Sequence, residues 1–270
     1  MTTPELRLPP LASVYRSRAS AELKEFFRQR ESVVFTLMLP VLLLVTFGAV
    51  LKYQIGDGVS FVQYFTPGII GAGILGASLQ NMAISIATER SDGTLKNLYG
   101  TPMPRSAYFV GKIVQVLAVT VCIVVVLLLI AVGFYGVGLP SGAEWLTFVW
   151  VSVLGAAACT LLGIAVSSLA KNGRSASATV TPIALVLQFI SGVFFQFSSL
   201  PTWMQSVAAV FPLKWMTQGL RSVFLPQALA AAEPAGSWEL GRVALVLVAW
   251  CVVGLALCRL TFTWQDRGSG

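Results

Sequence analysis

Histidine is absent from all 270 residues, and only 11% of them are charged, where a soluble domain carries about a quarter. Without histidine there is no Ser-His-Asp triad, no imidazole base and no His-ligated metal. No Gly-x-x-x-x-Gly-Lys-Ser/Thr segment occurs, so the chain has no phosphate-binding loop with which to hydrolyse a nucleotide. The cysteines, Cys122, Cys159, Cys251 and Cys258, lie inside apolar runs without Cys-x-x-Cys spacing. They read as small buried hydrophobes. No cleavable signal pattern precedes the first apolar run, which is expected to stay as a membrane anchor.

What is present is hydrophobic: 56% of residues. Charge-free stretches cover residues 32–51, 58–88, 113–143, 145–170 and 175–213, and a shorter one covers 243–258 between Arg242 and Arg259. A helix needs about 20 apolar residues to cross the hydrocarbon. The pattern predicts an all-α membrane protein with six transmembrane helices near 33–52, 65–87, 108–135, 145–170, 177–197 and 242–262. It also predicts an N-terminal amphipathic interface helix within 1–32 and a cytoplasmic tail at 263–270.

The stretch 175–213 is too long for one crossing, and Pro201 and Pro212 interrupt it. A re-entrant helical hairpin over 198–225, before the last span, is expected; a seventh span is the competing reading. Such irregular backbone needs cover from protein or water. With six spans and the N-terminus inside, 14 Lys and Arg fall on one side and 4 on the other. The excess places both termini in the cytoplasm.

Residues 11–31 repeat apolar side chains at helical spacing through Leu11, Val14, Tyr15, Ala19, Leu23, Phe26 and Phe27. Either a surface anchor or a docking face for a cytoplasmic partner fits this pattern. The loop 88–106 holds Asp92 as a candidate N-cap, Gly100 as a stop and Pro102 as a block. Leu95, Leu98 and Tyr99 would share one face of a short helix, an apolar knob offered to the cytoplasm.

Glu89-Arg90-x-x-Gly93-Thr94-Leu95, followed by Leu98, Thr101-Pro102 and Gly111-Lys112, resembles the type 2 family of ABC exporter permeases. The closest flavour is the daunorubicin-resistance-like drug and lipid exporters of bacteria. Pro40 and Phe211-Pro212-Leu213 with Arg221 fit as well; Ser91 and Lys96 depart from the acidic residues of the family pattern. The resemblance implies a non-catalytic permease subunit in the bacterial inner membrane. It would pair with a second permease, identical or homologous, above two cytoplasmic ABC ATPase subunits. ATP and magnesium would be bound by those subunits, with no cofactor in this chain. Coupling would run through Glu89, Arg90, Gly93, Thr94, Leu95, Leu98 and Tyr99, together with Tyr15, Leu23, Phe26 and Phe27.

Gly71-Ala72-Gly73-Ile74-Leu75-Gly76 matches a dinucleotide fingerprint, but inside a membrane span it reads as a close-packing surface, one that could face the second permease. Gln188, Phe189, Phe194, Phe195 and Gln196 cluster in the fifth predicted span. They suit an amphipathic substrate pathway, or hydrogen bonding between helices. No ionisable residue lies mid-span, which argues against an ion-coupled transporter or channel. A membrane-embedded lipid-modifying enzyme lacks any metal or nucleophile constellation. Trp145, Trp203, Trp215 and Trp238 are expected to form an interfacial belt.

Overall fold

In the computed structural model, residues 10–55, 58–170 and 172–263 are described, and their regular elements are all helices, without a strand. The expected tail from 264 and the segment before residue 10 lie outside them. Helix α1 (Leu11–Arg28) meets α2 (Arg30–Val50) at a one-residue break, Gln29. Helix α3 (Phe61–Ser91) is capped by Ser60, whose hydroxyl accepts from the Gln63 amide at 3.2 Å. The short α4 (Thr94–Tyr99) and the long α5 (Arg105–Tyr135) follow. Helix α6 runs over Ala143–Leu169, its last turn tightened to 3-10 form. Helix α7 (Gly173–Ile190) starts from a capping box between Asn172 and Ser175. Then come α8 (Thr202–Ala208), α9 (Pro212–Phe224) and α10 (Leu240–Thr261).

Among the described residues, five helices are long and apolar enough to cross a membrane: α2, α3, α5, α6 and α10. The fifth predicted span, 177–197, falls on a helix with other bounds, which is not among those five. Its helix is α7, 18 residues and about 27 Å long. Ser175, Ser177, Thr179 and Thr181 make its first half polar, and it ends at Ile190 before Gly192 in the left-handed region. Phe194, Phe195 and Gln196 therefore lie in the turn beyond the helix.

Helix α3 is the central post, packed by α2, α5, α6, α7 and α9. A π-helical turn over Gly76–Gln80 interrupts it. Helix α6 crosses that turn almost backbone to backbone: a Cβ on Gly163 would stand 2.7 Å from the Leu79 carbonyl oxygen. The Gly-rich segment packs within this chain. A Cβ on Gly71 would meet Thr217 of α9 at 2.9 Å, and one on Gly73 would meet Ile123 of α5 at 2.6 Å. Gly76, at the end of the segment, has nothing within 4 Å of where its Cβ would stand.

Helices α8 and α9 follow one another across a break at 209–211, and α9 is buried between α3, α6 and α10. The break at 209–211 leaves carbonyls without helical partners. The Trp215 indole donates to the Ala209 oxygen at 2.7 Å, and the Trp250 indole donates to the Val210 oxygen at 2.6 Å. One buried donor, Trp215, and one half-buried donor, Trp250, thus satisfy backbone that lipid could not. The expected tryptophan belt is corrected accordingly. Trp215 and Trp238 are buried, and only Trp145 and Trp203 are exposed. Trp215 stays inside because its N–H has a carbonyl to cap.

Candidate functional site

The end of the bundle that carries α4 holds a buried charge cluster. Helix α1 lies across the first turns of α5, with Gly111 at the crossing. A Cβ there would stand 3.0 Å from the Cγ atoms of both Arg18 and Glu22. That close approach brings Glu22 to the next residue, Lys112. The Lys112 ammonium lies 2.8 Å from Glu22 Oε2 and also pairs with Glu89 at the foot of α3. It donates to the Ser85 hydroxyl at 2.8 Å. Glu89 further accepts from the Ser85 hydroxyl at 2.7 Å and the Tyr108 hydroxyl at 2.9 Å. Arg18 pairs with Glu22, and its guanidinium sits 5.4 Å from the Tyr108 ring centroid.

Two carboxylates and two cations therefore balance in a place that water hardly reaches. Glu22 is 1% exposed and Lys112 is 2% exposed. Burial pushes the Glu22 carboxyl above its ordinary 4.5, opposed by the pull of Lys112. A cavity of about 70 Å³ opens beside the cluster, lined by Glu22, Glu89, Lys112 and Gln115 among others. The cluster ties three elements to one ammonium: α1, the end of α3 that leads into α4, and the start of α5.

Helix α4 hangs from this cluster. Gly93, at φ 76°, makes the turn between α3 and α4, one residue later than the N-cap expected at Asp92. The expected apolar knob is corrected. Leu95 is fully buried at 0% exposure, packed with Met82, Ile86, Tyr108, Val116 and Ile164, and Leu98 packs onto the same group. Both leucines point into this chain because α3, α5 and α6 present an apolar pocket there. Thr94 and Tyr99 face outward, Tyr99 being 47% exposed with Arg105 over its ring at 4.6 Å. Arg90 donates to the Ser167 carbonyl at 3.2 Å and hydroxyl at 3.1 Å, fastening the foot of α3 to the end of α6.

Helix α1 divides in the same way. Phe26 is buried, Tyr15 and Leu23 are half-buried, and Phe27 is exposed. Its inward face carries Glu22 as well as the apolar residues, a departure from the expected all-apolar face that Lys112 makes tolerable. The Tyr15 hydroxyl hydrogen-bonds the Ser106 hydroxyl at 2.7 Å, linking α1 to α5 again.

Of the candidate pathway residues, Gln188, Phe194 and Gln196 are half-buried, and Phe189 and Phe195 are exposed. The Phe189 and Phe194 rings lie 4.9 Å apart, and Phe194 approaches Phe65 of α3 at 6.3 Å. They border the far end of α7.

A second buried polar group, at the α9 end, is invisible to span counting. Arg221 is 1% exposed, donates to the Gly192 carbonyl, lies 4.3 Å from the Tyr64 ring and stands 3.7 Å from Glu233. Lys214 donates to Gln218 and sits 3.8 Å from the Trp215 ring centroid. Along the sequence Lys214 and Arg221 count as outer charges of the expected hairpin, Arg221 also fitting the family pattern. Only their i, i+3, i+4, i+7 spacing with Thr217 and Gln218 along a 13-residue helix signals a shared face.

Residues 15–225 match the model of a family described as ABC-2 type transporter. The chain belongs to that family. As an ABC-2 chain it is a membrane permease, and the family implies an ABC ATPase partner. It is 24% identical over 237 residues to the inner membrane transport permease YadH of Escherichia coli K12, covering 85% of this chain and 91% of that one. The putative transport permease YvfS of Bacillus subtilis is 22% identical over 201 residues, 74% of this chain and 81% of its own. The probable multidrug ABC transporter permease YbhR of Escherichia coli K12 is 25% identical over 146 residues, 54% of this ABC-2 chain and 39% of that protein.

Proposed function

We propose that this ABC-2 permease is the conduit of an ATP-driven exporter for a hydrophobic drug, lipid or glycolipid, and that its ATPase docks on the end carrying α1 and α4. The Glu22–Lys112–Glu89 cluster carries this assignment. A force applied to the exposed edges of α1 or α4 reaches α3 and α5 through one buried ion-paired node. Tyr99, Thr94 and Phe27 touch the ATPase. Glu89, Arg90, Leu95, Leu98 and Phe26 transmit its movement, with Tyr15 and Leu23 at the boundary and Gly93 as the pivot of the turn.

The proposal has six crossings with both termini in the cytoplasm. Helix α7 supplies the sixth. It runs beside α3 from Ser91, whose hydroxyl accepts from the Gly173 amide at 3.0 Å, to Gly68, where a Cβ would meet the Val193 carbonyl at 2.6 Å. That stretch of α3 is about 34 Å long, enough for the hydrocarbon. The α8–α9 hairpin is then re-entrant from the outer side. Two copies of the ATPase bind ATP and magnesium beneath a pair of permeases, identical or homologous. Phe189, Phe194, Phe195, Gln188 and Gln196 form part of the substrate route at the permease pair. The relative named as a multidrug permease supports a hydrophobic cargo.

Co-purification with the cognate ATPase tests the assignment. Tyr99→Ala with Phe27→Ala is expected to abolish ATPase capture while leaving the melting temperature of the permease unchanged. Undiminished capture would sink the docking face. A single cysteine at position 97 is expected to react only with reagent supplied from the cytoplasm; labelling from outside would overturn the orientation.

A further inference from the structure

A groove of about 630 Å³ opens on the outside of the bundle between α5, α6 and α10. It falls within the range of about 300–1,000 Å³ typical of sites for small organic ligands. The groove exists because α10 packs tightly on α6 while α5 leans away. A Cβ on Gly254 would meet Leu161 at 2.7 Å, and the floor that faces α5 is made of the small residues Ala156, Ala157 and Thr160. Its rims, Ile113, Val153 and Leu255, are exposed apolar side chains.

Two features give the groove a direction and a depth. On α6 it runs from Val153 to Ile164. That is about 16 Å of helix, close to half of the roughly 30 Å hydrocarbon. It is one leaflet deep. Its head lies at the α4 end, where Phe109 and Phe262 meet with ring centroids 5.2 Å apart. Two cations border that head, Lys112 and Arg259. The Lys112 charge is consumed by Glu22 and Glu89. Arg259 is exposed, and among the described residues no acidic side chain pairs with it.

We propose that this groove holds an acyl chain of an anionic phospholipid of the adjoining leaflet, with the headgroup phosphate on Arg259. A guanidinium at the membrane surface offers a fork for phosphate oxygens, and the apolar slot below it matches the chain in length. The groove shares no lining residue with the cargo route proposed above. That the leaflet is the cytoplasmic one, whose surface is anionic, rests on the orientation proposed above.

The test uses the full-length permease in phosphatidylcholine vesicles, with trace spin-labelled phosphatidylglycerol or spin-labelled phosphatidylcholine as the probe. The motionally restricted fraction is read by electron paramagnetic resonance. The anionic probe is expected to be favoured about five-fold, the effect of one surface cation. Arg259→Gln, an exposed change that leaves the fold alone, is expected to make the two probes equal. Ala157→Phe, which fills the slot, is expected to remove the favoured fraction. No headgroup preference in the wild type, or a preference that survives both variants, overturns the proposal. Loss of a dimer in light scattering on Ala157→Phe would also overturn it, by assigning the groove to a second copy of the chain. Lipid preference without ATPase capture would refute the docking face alone, and capture without preference would refute the groove alone.

Discussion

Replacing Lys112 with methionine keeps most of the side-chain volume and removes the ammonium that Glu22 and Glu89 share. At 2.8 Å from Glu22, the gross attraction is about 6 kcal/mol at an effective dielectric of about 20. Much of it offsets desolvation, so the net loss on breaking a buried pair is about 3–5 kcal/mol. For a protein of this size each kcal/mol moves the melting temperature by about 2–4 °C, which predicts a fall of roughly 6–20 °C. Melting in detergent can be followed with a thiol-reactive dye, since Cys159 is fully buried in the folded state. The triple variant Glu22→Gln, Glu89→Gln, Lys112→Met leaves no stranded charge and is expected to recover most of the loss. A fall of less than about 3 °C for Lys112→Met, about 1 kcal/mol on the same scale, would refute the buried node. So would a triple variant that melts as low as the single one.

The same cluster sets a pH dependence with a definite sign. Desolvation raises the folded-state pKa of Glu22 above its ordinary 4.5, so the folded protein binds the proton more tightly than the unfolded chain. Stability from this group is then greatest below about 4.5 and declines as pH rises through the raised value. Removing Lys112 takes away the largest influence holding that pKa down. Lys112→Met is therefore expected to lose stability more steeply than the wild type as pH rises above the ordinary 4.5. Adding Glu22→Gln should flatten the profile, and an equally steep profile in that double variant would exclude Glu22 as the source.

Gly163→Leu would drive a side chain into the Leu79 backbone; overpacking of this kind costs about 1–3 kcal/mol, readable as a lower melting temperature. Trp250→Phe keeps the ring and removes the donor to the Val210 carbonyl. It is expected to cost about 0.5–1.5 kcal/mol and to raise hydrogen exchange at 209–211. Arg221→Met strands Glu233 and unlinks the Gly192 turn; a loss of about 3–5 kcal/mol is expected, partly restored by adding Glu233→Gln.

Much of the bundle was legible because crossing a bilayer imposes length and apolarity on a helix, and both can be read along a line. Helices α2, α3, α5, α6 and α10 follow from charge-free runs alone. Helix α7 was misplaced because its polar first half is supported by contacts, among them the Gln80 amide donating to Thr181 at 3.1 Å, that no one-dimensional window contains. Leu95 is legible in the sequence as apolar and on a helix face, but its neighbours are not. Periodicity says which residues share a face and not what that face meets.

By itself the sequence determined that this is a histidine-free, basic, multi-helix membrane chain with a conspicuous loop motif, and it placed Glu89 and Gly111-Lys112 within reach of notice. Only the tertiary structure decided that Glu22, Glu89 and Lys112 form one node, and that Lys214 and Arg221 are interior groups rather than loop charges. The cost of burying a charge depends on the partner within a few ångströms. Those partners lie 23 residues apart for Glu89 and Lys112, and 90 apart for Glu22 and Lys112, until the helices pack.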